Sequence, residues 1–223
     1  MADVGDPGGP ESADRLRLAF EQGDEATARA VVAAHSELAT RPFDDASVVR
    51  LAAYRGMRAL VADLLDADID LDVCDAAALD RVDVLQDLLD RDPDQRDAMS
   101  GDGFTPLHLA AFFGQVKAAE LLLNRSANAD AVSANALAVR PINSAAAGSH
   151  EVVVHLLLDH GADADAAMAG GFRPLHAAAH GGLPSMVRLL LERGADPNAR
   201  TDDGQTPADL AADNDTRAML TNP

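Results

Sequence analysis

The sequence predicts an all-α fold of stacked helix-loop-helix repeats, and three observations predict it. The chain repeats itself every 33 residues: Pro174 and Pro207 open similar blocks at that spacing, and Gly23 and Gly56 stand at the same spacing near the start. A period of this length marks an architecture in which each copy buries its apolar face against its neighbours. The chain is also poor in rings, with 6 Phe, 1 Tyr and no Trp among 223 residues. Its core must therefore be built from Ala, Leu and Val, which let helices approach closely. Finally, the blocks that open at Pro106, Pro141 and Pro174 carry the same helix punctuation: Pro where a missing N–H costs nothing, then an Ala pair, then Gly where the chain must break.

The elements follow in order. Residues 1–13, rich in Gly, Pro and acid, are expected to form a disordered tail. Seven helix pairs are expected near 14–34, 47–66, 74–90, 106–124, 141–159, 174–193 and 207–220. The first, with Arg15, Arg17, Glu21 and Glu25, has the polar face of a terminal cap. In the second, LAAYRG at 51–56 stands over LAAFFG at 109–114. The third begins at Asp75, 33 residues before the LAAFFG block but only 25 after Ala52 and Ala53, so eight residues are missing from the connection before it. The acidic run DADIDLD from Asp66 solvates that connection; as a cation site it lacks the Gly and terminal Glu of a calcium loop.

From residue 75 the repeats are plain. Thr105 and Thr206 can cap helices with their hydroxyls. Gly114 and Gly182 separate paired helices, the Leu triplets 121–123, 156–158 and 189–191 supply the core, and Gly161 and Gly194 sit where a left-handed cap wants Gly. Pro106 to Pro141 is 35 residues, so two are inserted within 128–139. The last block, ending DNDTRAMLTNP, places Asp and Asn where others have core residues, as a solvent-facing cap should. The organisation is thus a divergent stretch 14–74, a clear one 75–205 and a cap 206–223.

These residues carry a family resemblance. TPLHLAA at 105–111, RPLHAAA at 173–179 and the helix-closing GAD at 161–163 and 194–196 resemble the ankyrin repeat, over about residues 14–223. The resemblance implies an ankyrin-repeat solenoid of L-shaped helix-loop-helix units linked by hairpin-like loops, with a concave face of loop tips and first helices. It also implies a role in binding proteins rather than in catalysis. It implies a Thr-to-His hydrogen bond at each helix start, complete here only at Thr105 and His108. Arg140 and Arg173 replace Thr, and Asn143 and Asp209 replace His, so those helix starts are expected to be less rigid. The family's partner-facing slots are the residue before Thr-Pro and the two residues between Ala-Ala and Gly. Here they hold Phe104, Phe172, Tyr54, Arg55, Phe112, Phe113, His180 and Gly181. Five of the chain's seven aromatic side chains fall in these slots. They are expected to anchor a partner, with Arg55 and His180 as polar supplements; the competing reading is that the rings pack sideways and finish the solenoid.

Charge narrows the partner. With 37 acidic against 18 basic side chains the formal net charge is -19, so nucleic-acid binding is excluded by repulsion and a basic protein partner is expected. An alternative of another class is an acidic inhibitor or immunity-like decoy that occupies the basic cleft of a nucleic-acid enzyme. No phosphate loop, nucleophile elbow or HExxH pattern supports an enzyme; GDG at 101–103 and AGG at 169–171 are hairpin tips. His150, His155 and His160 recur every five residues, which does not align them on a helix, and His176 with His180 supplies two ligands at most. No metal and no cofactor are therefore expected. Cys74 is the only Cys, which excludes an intrachain disulfide; near a helix start it reads as a buried thiol or a reactive one. No apolar run is long enough for a membrane helix. The expectation is a monomeric cytoplasmic protein, of bacterial origin on its high Ala, Asp and Arg content.

Overall fold

The computed structural model describes residues 10–221 apart from 41 and 44. Two compact units divide the chain between Asp75 and Ala76. In the first, helices α1 (Pro10–Gln22) and α2 (Glu25–Ala34) pack together, and α2 packs on α4 (Arg58–Asp66), the partner of α3 (Val48–Tyr54). Two short antiparallel strands, β1 (Pro42–Phe43) and β2 (Ala46–Ser47), make the hairpin before α3. Its core includes an edge-to-face pair of rings, Phe20 and Phe43, 6.0 Å between centroids, with the Arg17 guanidinium 5.4 Å over Phe43. These are the two rings outside the partner-facing slots.

Helix α5 (Val73–Ala78) spans the division, and α6 (Val82–Arg91) pairs with it in sequence. Then come α7 (Pro106–Phe113) and α8 (Val116–Asn124), α9 (Pro141–Ala147) and α10 (Glu151–Asp159), α11 (Pro174–His180) and α12 (Pro184–Glu192), and α13 (Pro207–Leu210) and α14 (Asn214–Thr221). In this second unit the first helices α7, α9, α11 and α13 pack in series. The second helices α6, α8, α10, α12 and α14 form a parallel row. Close approach along the first row rests on buried small residues, Ala110, Ala111, Ala145, Ala146, Ala178 and Ala179, each at most 1% exposed. The Leu triplets contribute Leu122, Leu157 and Leu190 to the layer between rows.

Three expectations change against this structure. Helix α1 begins at Pro10, so residues 10–13 of the expected tail are helical; residues 1–9 lie outside the described part. The cause is the apolar face Leu16, Ala19 and Phe20, buried at helical spacing, with the Ser12 hydroxyl 3.0 Å from His35 Nε2 tying the first turn to the end of α2. The left-handed turn between paired helices does not require Gly: φ is positive at Gly23, Gly56, Gly114 and Gly182, but equally at Asp80 and Ser149. Asp tolerates that conformation better than most side chains, and the Asp80 carboxylate then accepts the Ala118 N–H at 3.0 Å, one repeat on.

The helix starts at Arg140 and Arg173 also keep half of the expected bonding. The backbone N–H of Arg140 donates to Asn143 Oδ1 at 2.8 Å, and that of Arg173 to His176 Nδ1 at 3.2 Å. What disappears with Thr is the hydroxyl half of the box. Thr206 with Asp209 retains both halves, the hydroxyl donating to Asp209 Oδ2 at 2.7 Å and the N–H at 2.9 Å.

Candidate functional site

The third residue of each first helix is the joint between successive repeats. His108 is buried; its Nδ1 accepts from the Thr105 hydroxyl at 2.8 Å, and its Nε2–H donates to the Val139 carbonyl of the next hairpin at 3.0 Å. His176 reaches the Gln205 carbonyl in the same way, and Asn143 Nδ2 donates to the Ala166 carbonyl. Burial holds both imidazoles below the ordinary histidine range, so they are neutral. His176 is thus structural, with both ring nitrogens engaged by the backbone of Arg173 and Gln205.

In the first unit the same position is Arg50, and the joint is a buried charge pair. Residues 67–72 are the six that separate α4 from α5, where fourteen separate later repeats at 92–105, 160–173 and 193–206. The connection is eight residues shorter. A guanidinium on a long stem reaches the next helix across it: Arg50 Nη1 lies 3.4 Å from Asp75 Oδ1 and 3.8 Å from Asp72 Oδ1. The Ser47 hydroxyl donates to Asp75 Oδ1 at 2.6 Å, and the Asp75 N–H donates to Asp72 Oδ1 at 2.6 Å. Burial, with the Asp72 charge alongside, pushes the Asp75 carboxyl up to about 6, against the pull of Ser47 and Arg50. The acidic run before α5 therefore ends in a helix cap. Cys74, next to this pair, is buried at 3% exposure, which makes it a core residue rather than a nucleophile.

The slot residues divide by burial. Phe112 and Phe172 are 45% and 38% exposed. Phe113 is half-buried with its ring edge-to-face on Phe112 at 5.0 Å. Phe104 and Phe172 lie against the histidine joints, 5.8 Å from the His108 ring and 5.7 Å from the His176 ring. Phe104 is half-buried, so in this ring anchoring the hairpin outweighs display. Phe172 does both: with His180, Arg173, Met168, Ala147 and Ser149 it lines a groove of about 300 Å³ between α9 and α11. Arg173 is ion-paired to Asp165, and no carboxylate lines this groove. Tyr54, half-buried, and Arg55, exposed, end α3 in the first unit.

The hairpin tips are as the sequence reading has them. Ser100 N–H donates to the Phe104 carbonyl, Met168 N–H to the Phe172 carbonyl and Thr201 N–H to the Gln205 carbonyl, closing equivalent turns. The two inserted residues lengthen the turn between Ser133 and Val139, which still closes through Ser133 N–H to the Val139 carbonyl at 2.9 Å. Neighbouring tips are stitched by single backbone bonds, Ala134 to Gly103, Ala169 to Leu137 and Asp202 to Gly170.

Several of the acids have structural work that sequence reasoning missed. Asp97 accepts the Asn128 N–H, Asp130 the Asp163 N–H and Asp165 the Asp196 N–H, each across one repeat. Glu25 accepts the Ala59 and Leu60 N–H groups at the start of α4, where a carboxylate suits the exposed donors. A signal existed for two of these acceptors: Asp97 and Asp130 belong, with Asp163 and Asp196, to a series that recurs every 33 residues. His150, the N-cap residue of α10, also bridges repeats: its Nε2–H donates to the Phe112 carbonyl at 3.0 Å, fixing the turn below Phe112. His155 pairs with Asp159 on its own helix and His160 with the Leu156 carbonyl. Among the described residues no group of three or more His, Cys, Asp or Glu could hold a metal ion, and no helix is long and apolar enough to cross a membrane.

Comparison with known families matches this geometry. A family model described as ankyrin repeats in three copies matches residues 16–135 and 73–167, and one described as ankyrin repeats in many copies matches residues 157–211. No curated protein matches the chain.

Proposed function

The chain belongs to the ankyrin repeat family, a family of non-enzymatic protein-interaction scaffolds, and from that premise we propose that its second unit holds a protein partner at the groove between α9 and α11 and on the neighbouring rings of α7. The observation that carries this reading is the exposure of Phe112 and Phe172 in a chain that has only seven aromatic side chains. Rings and Arg are the side chains that most often dominate interface energy, each costing about 2 kcal/mol or more when truncated at the centre of a contact. Phe112, Phe113, Phe172 and His180 are the contacts we assign. Phe104 positions the hairpin, and Tyr54 with Arg55 form a separate candidate contact on the first unit. Hairpins stitched tip to tip present these rings on a rigid frame, which lowers the entropy lost on docking.

The -19 net charge favours a basic partner through long-range steering, whereas the carboxylate-free groove acts at short range by apolar contact. The decoy reading draws on the same charge and differs in its salt response: a charge-held complex weakens steeply with salt, and an aromatic-anchored one loses mainly association rate. The test is affinity capture from the native lysate with wild type and a Phe112→Ser, Phe172→Ser variant at matched folding. A basic protein retained by the wild type and lost from the variant supports the reading. Retention by both overturns it.

A further inference from the structure

A second surface of the second unit, sharing no residue with the groove above, has the chemistry of a docking site. Helices α8 and α10 lie side by side in the row of second helices, and a groove of about 470 Å³ runs between them. Its floor is apolar: Val116 and Val152, 37% and 62% exposed, with Leu156 beside them. Its rim is acidic, formed by Glu120, Glu151 and Asp159. Asp159 is engaged by His155 and Arg193, whose hydrogen bonds hold its carboxyl below the usual range. Glu120 and Glu151 point the remaining rim charge at the groove.

Repeat logic makes Val152 the informative residue. Each second helix of this unit has a solvent-facing second position, and the other occupants of that position are Asp83 in α6, Lys117 in α8, Ser185 in α12 and Asp215 in α14, all exposed. A polar residue is what stacking alone requires there. In α10 the position is filled by the most exposed large apolar side chain among the described residues. At the first position Val116 is exposed, whereas Val82 at that place in α6 is half-buried and α10 and α12 carry Glu151 and Pro184. The two departures fall on facing helices and meet in one groove, so the apolar strip is local rather than a property of every repeat.

We infer that this groove binds a basic amphipathic helix of a protein partner, its apolar face on Val116, Val152 and Leu156 and its Lys or Arg side chains against Glu120 and Glu151. From Glu151 to Asp159 the α10 wall is about 12 Å long, room for roughly two turns of helix with anchors at i and i+3 or i+4. Charge chooses the occupant. A second copy of this chain, at a net charge of -19, would bring acid to an acidic rim.

The probe is a synthetic peptide of roughly 14 residues with Leu on one helical face and Lys on the other, compared with a peptide in which Glu replaces every Lys. Binding is read by fluorescence anisotropy against the full chain, and folding of each variant by its melting curve. Val152→Ser installs the residue that α12 carries at this position, and is expected to weaken the Lys peptide by roughly tenfold without changing the melting curve. Glu120→Gln with Glu151→Gln is expected to weaken it by about three- to tenfold and to flatten its salt dependence. Phe112→Ala with Phe172→Ala leaves it unchanged, which separates this inference from the reading of the ring-lined groove. The inference is overturned by the absence of Lys-peptide binding, by equal binding of the Glu peptide, or by affinity that follows Phe112 and Phe172 rather than Val152. Self-association lost in Val152→Ser would overturn it in favour of a second copy.

Discussion

Lowering the pH from 7 to 5 should move the two units in opposite directions. In the first unit the controlling group is Asp75, whose buried carboxyl titrates near 6 against an ordinary value of 3.8. The folded unit therefore takes up its proton before the unfolded chain does, and stability withheld at pH 7 returns as the pH falls through 6. The interval corresponds to about 3 kcal/mol in full, at about 1.4 kcal/mol per pH unit, of which roughly 1 kcal/mol is recovered between pH 7 and 5. In the second unit His108 and His176 are held neutral by burial, with values below the ordinary 6.5. There the unfolded chain protonates first. The stability these joints contribute is complete above about 6.5 and is lost as the pH falls, at about 1.4 kcal/mol per pH unit for each imidazole that stays neutral.

Relief of self-repulsion on acidification favours both units, so the difference between them is the diagnostic quantity. Hydrogen exchange followed by mass spectrometry at pH 5, 6 and 7 in moderate urea, corrected for intrinsic exchange, resolves α3 and α4 from α7 through α12. Asp75→Asn should remove the first unit's response, and His108→Gln with His176→Gln should flatten that of the second. Equal shifts in both units, or a second-unit response that survives the histidine substitutions, would refute the reasoning.

Three further outcomes follow from packing. Arg50→Met strands the Asp75 charge and should cost about 3–5 kcal/mol of first-unit stability at pH 7 in urea unfolding, less at pH 5, while adding Asp75→Leu restores most of the loss; a Met variant of unchanged stability would show that the pair contributes nothing. Gly114→Ala forces a left-handed backbone, φ +70, onto a residue whose Cβ would collide with the His150 ring, with an expected loss of about 2–3 kcal/mol by strain and by displacement of that ring; a loss no smaller in a His150→Ala background contradicts the contact. Ser126→Gly, at a position with φ +63 where the later repeats have Gly161 and Gly194, should raise stability by about 0.5–1 kcal/mol in the same assay.

The joints between repeats show how far a sequence can be read. His108 was recognisable because it recurs in a fixed local context, one turn after Thr105 and Pro106. Arg50 occupies the same position and was unreadable, because its partner depends on a connection shortened by eight residues and on which carboxylate that shortening brings near. The acids were read as surface charge, and Asp80, Asp97, Asp130, Asp165 and Glu25 prove to be acceptors for backbone N–H groups one repeat away. The rings were read as one class. Burial separates Phe104, folded over a joint, from Phe112 and Phe172, which remain open to solvent.

By itself the sequence determined the all-α repeat, the succession of helix pairs, the Pro-led helix starts from Pro106 onward and the hairpin tips, because each follows from interactions within four residues: a Pro at a helix start, a capping hydroxyl, a left-handed turn. The tertiary structure decided which charges are buried, which rings are exposed and that Val116 meets Val152 in an acid-rimmed groove. Those outcomes depend on the register of one helix against another distant in the chain, and a one-dimensional period records that a neighbour exists without recording which side of it faces solvent.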